Sequence, residues 1–347
     1  MFSFVICAGT AFPTSIVKAE SPAPTVVVTI KPLHGLVAAV MKGAGAPELL
    51  IKGRGNPHGF QLLPSQASLL NKAALIIRVG PMLETSLSNS LSTLGGKGKV
   101  LDLMSIPTLK LLDRREANVF HVEPAADDHK SGAEKHEHED HDHGEHDHDK
   151  EGHEKQGHKK DEHSSHNHSG HNHDDYNVDA HIWLSVSNAD AIVTAVAERL
   201  SKIDPERAEL YRKNAAAEKV RLGKLSTEIS DKLSPLTGRR FMVFHDAYQY
   251  LTRPFGMVFA GAVTIDPNVP PSAGHARDLR RMLKTGAIAC VFSEPQYNTK
   301  IITSLIEGTD AKLAELDPIG AELETGADSY EKMMRQLINE ISDCLKD

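Results

Sequence analysis

From residue 205 to 233 the chain runs about 29 positions rich in Ala, Glu, Lys, Arg and Leu, with Gly223 the only breaker. Asp204 and Pro205 supply the start signals of a helix, a capping side chain and a ring that fits the first turn. Fully helical, the stretch would extend about 43 Å. The sequence on either side differs from it in kind. Upstream, short apolar runs at 26–30, 48–51, 74–79 and 100–103 alternate with helical spacing at 33–42, 65–71 (Ser65 as cap) and 83–94. Downstream, strand-like runs at 241–244, 257–263, 287–292 and 312–316 alternate with helices at 272–283 and 298–306, and a terminal helix spans 329–345. Short apolar strands alternating with helices signal parallel sheets covered on both faces. The expected fold is therefore α/β. Two (β/α) lobes with parallel sheets, 20–186 and 236–347, are joined by connecting helices at 187–235. Ser187 caps the first of these, and the long rigid backbone helix at 205–233 is the second.

The first lobe is interrupted. Residues 129–173 hold 14 of the 20 histidines, among Asp, Glu, Lys, Gly and Ser. So few apolar side chains cannot offset the entropy of ordering, and 122–178 is expected to be a disordered His-rich insert. Residues 127–175 carry 16 Asp and Glu against 6 Lys, a local −10 within a net −8, which leaves the rest at +2. No basic patch is interleaved with aromatics, so nucleic acid is not an expected partner. At neutral pH most of the imidazoles are uncharged nitrogen ligands for zinc, copper or nickel. His136, His138, His141, His143, His146, His148, His166, His168, His171 and His173 are expected to be accessory low-affinity metal ligands.

Residues 1–19 are mostly apolar up to Val17, and Val17-Lys18-Ala19 fits a small-residue cleavage site. They read as a secretory signal without its basic start. No later run reaches the ~18 apolar residues needed to span a membrane, so the mature chain is expected to be soluble and exported. Cys7 leaves with the signal. The remaining pair, Cys290 and Cys344, suggests a disulfide in an exported protein. It would close a 55-residue loop, worth roughly 4 kcal/mol on the chain-entropy model.

Six histidines lie outside the tract. His58 is in a loop dense in turn formers after a strand, His245 is the first residue past a strand, and His181 lies where the chain re-enters the fold. Ligands of open parallel sheets bind at the carboxyl ends of strands, and two of these positions are such ends. His275 is expected to be solvated, His121 to be an extra surface ligand, and His34 to pack. Three imidazoles make a borderline-soft nitrogen site that favours zinc over manganese or magnesium. Zinc prefers four ligands, and the fourth could be water or a carboxylate, with Asp317 the best candidate. Asp246 should point elsewhere. Some carboxylate or carbonyl should hold each imidazole's second nitrogen, but the sequence does not assign it.

The chain resembles the periplasmic zinc-binding proteins of bacterial zinc ABC importers, within the metal-binding class of substrate-binding proteins. The resemblance rests on Lys31-Pro32-Leu33, Ala180-His181-Ile182-Trp183-Leu184-Ser185, Val243-Phe244-His245-Asp246-Ala247-Tyr248, Cys290-Val291-Phe292-Ser293-Glu294-Pro295-Gln296 and Leu316-Asp317-Pro318-Ile319-Gly320. It implies metal held between two lobes by His58, His181 and His245, with Asp317 at the position of a fourth carboxylate ligand in several relatives. It also implies the Cys290–Cys344 disulfide. The cargo would be Zn2+, captured as a monomer in the periplasm and handed to a membrane permease with its cytoplasmic ATPase. Manganese carriers of the class place a carboxylate where His245 stands. Some zinc members have an acidic residue before the first ligand histidine, and this chain has Pro57 there. The alternatives are a carrier of manganese or another divalent metal, or a His-rich metal store or adhesin. An enzyme is not expected, since neither an HExxH helix nor a G-x-S-x-G elbow is present.

Overall fold

The computed structural model describes residues 21–94, 99–115, 178–264 and 266–346. The expected signal segment, His121 and the ten accessory histidines lie outside them. Val178, assigned above to the insert, pairs antiparallel with Asp113 in an isolated bridge.

Among the described residues eight strands form two parallel four-stranded sheets. The first contains β1 (Val26–Val28), β2 (Glu48–Leu49), β3 (Leu75–Arg78) and β4 (Val100–Asp102), in the order β2-β1-β3-β4. The second contains β5 (Arg240–His245), β6 (Val258–Thr264), β7 (Cys290–Ser293) and β8 (Lys312–Glu315), in the order β6-β5-β7-β8. The two orders are the same winding. In each, the chain starts on an inner strand, steps outward, then crosses back, so the carboxyl ends of inner strands flank the crevice where ligands bind. The eight apolar runs read from the sequence correspond to these strands.

The helices are α1 (Lys31–Val40), α2 (Pro64–Lys72), α3 (Ser88–Leu94), α4 (Val186–Ile203), α5 (Ala208–Leu233), α6 (Gln249–Thr252), α7 (Ala273–Lys284), α8 (Lys300–Ile306) and α9 (Ser329–Leu345). Several starts differ from expectation. Pro64, not the residue after the expected Ser65 cap, opens α2, and Gln66 Oε1 accepts from Leu63 N at 2.9 Å. The cap of α4 is Ser185 rather than Ser187, with Oγ accepting from Asn188 N at 3.3 Å. Asp204 and Pro205 start a 3-10 turn, Pro205–Arg207, and the α-helix follows it. The Asp204 carboxylate accepts from the Tyr211 hydroxyl at 2.8 Å and from Arg207 at 3.0 Å instead of capping amides. The stretch expected as a helix from residue 83 begins with a 3-10 turn, Thr85–Leu87. There the buried Glu84 carboxylate accepts from Val79 N, Gly80 N and Thr29 Oγ1, and this pulls the chain into a turn before α3 can start.

Helix α5, 26 residues long, buries Tyr211, Ala215, Glu218, Leu222, Leu225, Ile229 and Leu233. That is the three-and-four spacing of one helical face. The face lies against α4, α1 and α9. Helix α9 buries Tyr330, Met333, Met334, Leu337, Ile338 and Ile341, and reaches back across the molecule to α1. The two helices nearly touch at Gly35, where a Cβ would lie 2.6 Å from Ser329 Oγ and 2.8 Å from Tyr330 N. One continuous apolar cluster therefore runs from Val26 in β1 through α5 to Leu345 in α9. A smaller one, including Met242, Val263, Leu279 and Leu305, sits under α7 and α8 of the second lobe. Cys290 of β7 and Cys344 of α9 form the expected disulfide. Among the described residues no helix is long and apolar enough to cross a membrane.

Candidate metal centre

His58, His181 and His245, far apart in the chain, meet at the crevice. One nitrogen from each lies within 4.8 Å of the others, and the ring centroids are 5.1 to 5.7 Å apart. They line a cavity of about 10 Å³ with Pro57, Trp183, Glu294, Gln296, Tyr297, Pro318 and Ile319. That is room for one water-sized sphere.

His245 is the last residue of β5, one position inside the strand rather than just past it. Strand alternation sends Phe244 into the smaller apolar cluster and His245 to the other face. His245 Nδ1 lies 2.6 Å from Glu294 Oε1. Strand register explains the meeting, because Val243 pairs with Phe292 of β7 and two steps further His245 stands beside Glu294. His181 stands at the start of a 3-10 turn, Ile182–Leu184. Its Nδ1 is 2.7 Å from Asp179 Oδ1, which also accepts from His181 N at 3.0 Å. Gln249 Nε2 donates to the second Asp179 oxygen at 3.1 Å. Asp179 and Glu294 are the carboxylates the sequence left unassigned.

These carboxylates fix the tautomers. An imidazole whose Nδ1 faces a carboxylate carries its proton there, so a neutral ring presents a bare Nε2. The two Nε2 atoms of His181 and His245 lie 3.2 Å apart. Two lone pairs at that distance repel unless a proton or a cation sits between or beside them. A carboxylate behind a histidine is also the usual way to orient a metal ligand and raise its basicity. For Asp179, burial opposes the charge, but His181 and the hydrogen bonds outweigh it and hold the carboxyl below its ordinary range. For His245, burial opposes protonation, and Glu294 outweighs it, so its pKa is raised.

His58 is held differently. It lies on a 3-10 turn, Pro57–Gly59, in the loop between β2 and α2, and is partly exposed. Its backbone N donates to Asn56 Oδ1 at 2.9 Å. Loss of solvent around the ring, then the charges of His181 and His245, hold its pKa well below the ordinary value.

Asp317 lies outside this nitrogen cluster. Its Oδ1 accepts from Gln296 Nε2 at 2.8 Å and Ile319 N at 3.2 Å, and its Oδ2 from Ala321 N at 2.5 Å. Lys31 of α1 donates to Ala321 O and Leu323 O in the same loop, at 2.6 and 2.7 Å. Asp317 thus shapes the loop that places Pro318 and Ile319 over the cavity. Asp246 points elsewhere, as expected, and pairs with Arg115 at 2.7 Å. His34 packs, with Nε2 3.0 Å from Pro47 O. His275 is not solvated. It is half-buried, and its Nε2 is 3.0 Å from Ala262 O, because α7 lies on β6.

The family model for the zinc-uptake complex component A, periplasmic (ZnuA), matches residues 26–344. The high-affinity zinc uptake system protein ZnuA of Brucella abortus (strain 2308) is 43% identical over 320 residues, covering 92% of this chain and 91% of that protein. Its namesake from Paracoccus denitrificans (strain Pd 1222) is 40% identical over 336 residues, 96% of each. A solved structure titled as the crystal structure of ZnuA superposes with a TM-score of 0.69 at 20% identity, covering 93% of this chain and 100% of that one. That likeness concerns the fold, while the sequence matches carry the lineage: the chain belongs to the ZnuA family of periplasmic zinc-uptake components.

Proposed function

We propose that this protein captures Zn2+ in the periplasm, holds it with His58, His181 and His245, and hands it to the permease of an ABC-type zinc importer. The observation that supports this most is the pair of Nε2 atoms of His181 and His245, 3.2 Å apart, each on a ring backed by a buried carboxylate. The arrangement is unfavourable empty and suits a borderline-soft cation. Zinc's fourth position is left to a water or another small ligand from the open side, since the Asp317 oxygens already accept from the loop.

A carrier role also fits the cavity size. A cavity of about 10 Å³ admits an ion and leaves no place for an organic substrate beside it. Histidines 136 to 173 act as a weak collector outside the site. The test is a competition titration with a zinc chelator, on the full chain and on a chain lacking residues 129–173. One tight equivalent should survive the deletion while weak additional binding disappears. Loss of the tight equivalent with the tract would refute the assignment and favour a His-rich store.

A further inference from the structure

His58 is the one member of the trio whose ring has no carboxylate behind it among the contacts of the site. Its position is set through the backbone, and one side chain does most of this. Asn56 Oδ1 accepts from His58 N at 2.9 Å, and the same side chain's Nδ2 donates across the crevice to Asn268 Oδ1 at 2.8 Å. Asn268 is itself fixed. Its backbone N and its Nδ2 both donate to Asp266 Oδ1, at 2.9 and 3.1 Å. Thr264, the last residue of β6, donates through Oγ1 to Asp266 O at 2.6 Å. The donors all point one way, from His58 N through the Asn56 and Asn268 amides to the Asp266 carboxylate, and Thr264 at the end of β6 anchors Asp266 separately through its backbone carbonyl. Gly59 closes against it, since a Cβ there would lie 3.0 Å from Asn268 Oδ1.

The bridge joins the two lobes, and it is exposed. An exposed neutral hydrogen bond contributes little and breaks readily. By contrast, His181 and His245 are locked by buried partners. Of the three rings, His58 is therefore the one least held against swinging away.

Resting on the reading of His58 as a ligand, we propose that the Asn56–Asn268 bridge positions His58 and sets the rate at which a bound ion leaves. Asn56 and Asn268 are positioning residues and touch no metal. The nearby Arg54–Glu322 pair also links this loop to the second lobe, at 2.6 Å, but both side chains are well exposed and such pairs are weak.

The full chain is loaded with zinc and mixed with excess chelator in a stopped flow, and the slow phase is followed. Asn268→Ala should speed that phase about three- to tenfold, the range of one exposed hydrogen bond, and leave the association rate unchanged. Asn56→Asp keeps the acceptor for His58 N and removes the donor to Asn268, so it should act in the same direction. The double variant should be no faster than the faster single one, because both changes break the same bond. Glu322→Gln should change the rate less than Asn268→Ala. A slow phase within twofold of wild type in Asn268→Ala, or effects that multiply in the double variant, overturns the bridge. His58→Ala separates the two levels: release as slow as wild type there would remove His58 as a ligand and the bridge with it. Fast release in His58→Ala beside an unchanged Asn268→Ala overturns the bridge alone.

Discussion

The second lobe and the re-entry segment hold their histidines by buried side-chain pairs, whereas the first lobe holds the backbone of His58 by a part-buried bond to the Asn56 side chain. His245 and His181 are each about 95% buried against a carboxylate. His58 sits, itself partly exposed, on a three-residue turn between a buried Pro57 and an exposed Gly59. On the proposed reading the same chemical group serves two purposes. Two rings would be oriented before any ion arrives, and the third would complete the set and yield, so that rigidity in one half and compliance in the other reconcile tight capture with release.

That contrast is broken or sharpened by graded substitutions. The largest loss belongs to His245→Ala. Sharing the apparent ~10–16 kcal/mol of a four-ligand zinc site among its ligands gives roughly 2.5–4 kcal/mol each, about 60- to 1,000-fold in affinity. The variant also leaves Glu294 buried without its partner, so the metal-free protein should melt lower as well, as thermal unfolding would register. His58→Ala should weaken zinc about tenfold less than His245→Ala, with the metal-free melting temperature unchanged, because no buried carboxylate is orphaned. Equal losses in both readouts would erase the distinction between the halves.

Next in size come Glu294→Gln and Asp179→Asn, each expected to cost about 10- to 100-fold in zinc affinity by competition titration. The smallest effect is in pH. Zinc requires neutral imidazoles, so protons compete as pH falls. Glu294 raises the His245 pKa, so in wild type the loss of affinity should begin above ~6.5, the ordinary histidine value. In Glu294→Gln the onset should move to lower pH, and an onset that stays put would show that another group governs it.

Much of this was legible from residues. The inner strands announced themselves as short apolar runs, because inner strands of parallel sheets are buried on both faces and lack alternation, whereas the edge strand β8, Lys312–Glu315, is largely exposed and showed only as a strand-like stretch. The trio of histidines stood out by lying at element ends. What could not be read was pairing. Glu294 meets His245 only through the register of β5 on β7, a contact between residues 49 apart in sequence. Asp179 had a local signal in hindsight, because a carboxylate two residues before a histidine can reach both its amide and its ring. Helix starts slipped where a side chain found a better partner than the amides, as Asp204 did with Tyr211. The Asp317 motif stood out, but whether its carboxylate faces the cavity or its own loop is a matter of a few torsions that composition does not encode.

The close approach at Gly35 bears on the order in which the molecule can be built. Helix α1 is made well before α9, and each covers the other where Ser329 and Tyr330 press on Gly35. The first lobe therefore does not finish its own core before α9 has emerged, and contacts this distant in sequence slow folding. Neither half, cut away and expressed alone, keeps the surface it was shaped against. A bulkier residue at position 35 should reveal this dependence directly: Gly35→Val forces the two helices apart at a cost of about 1–3 kcal/mol, measurable by denaturant unfolding. An early helix is thus at rest only once a much later one has been made and docked.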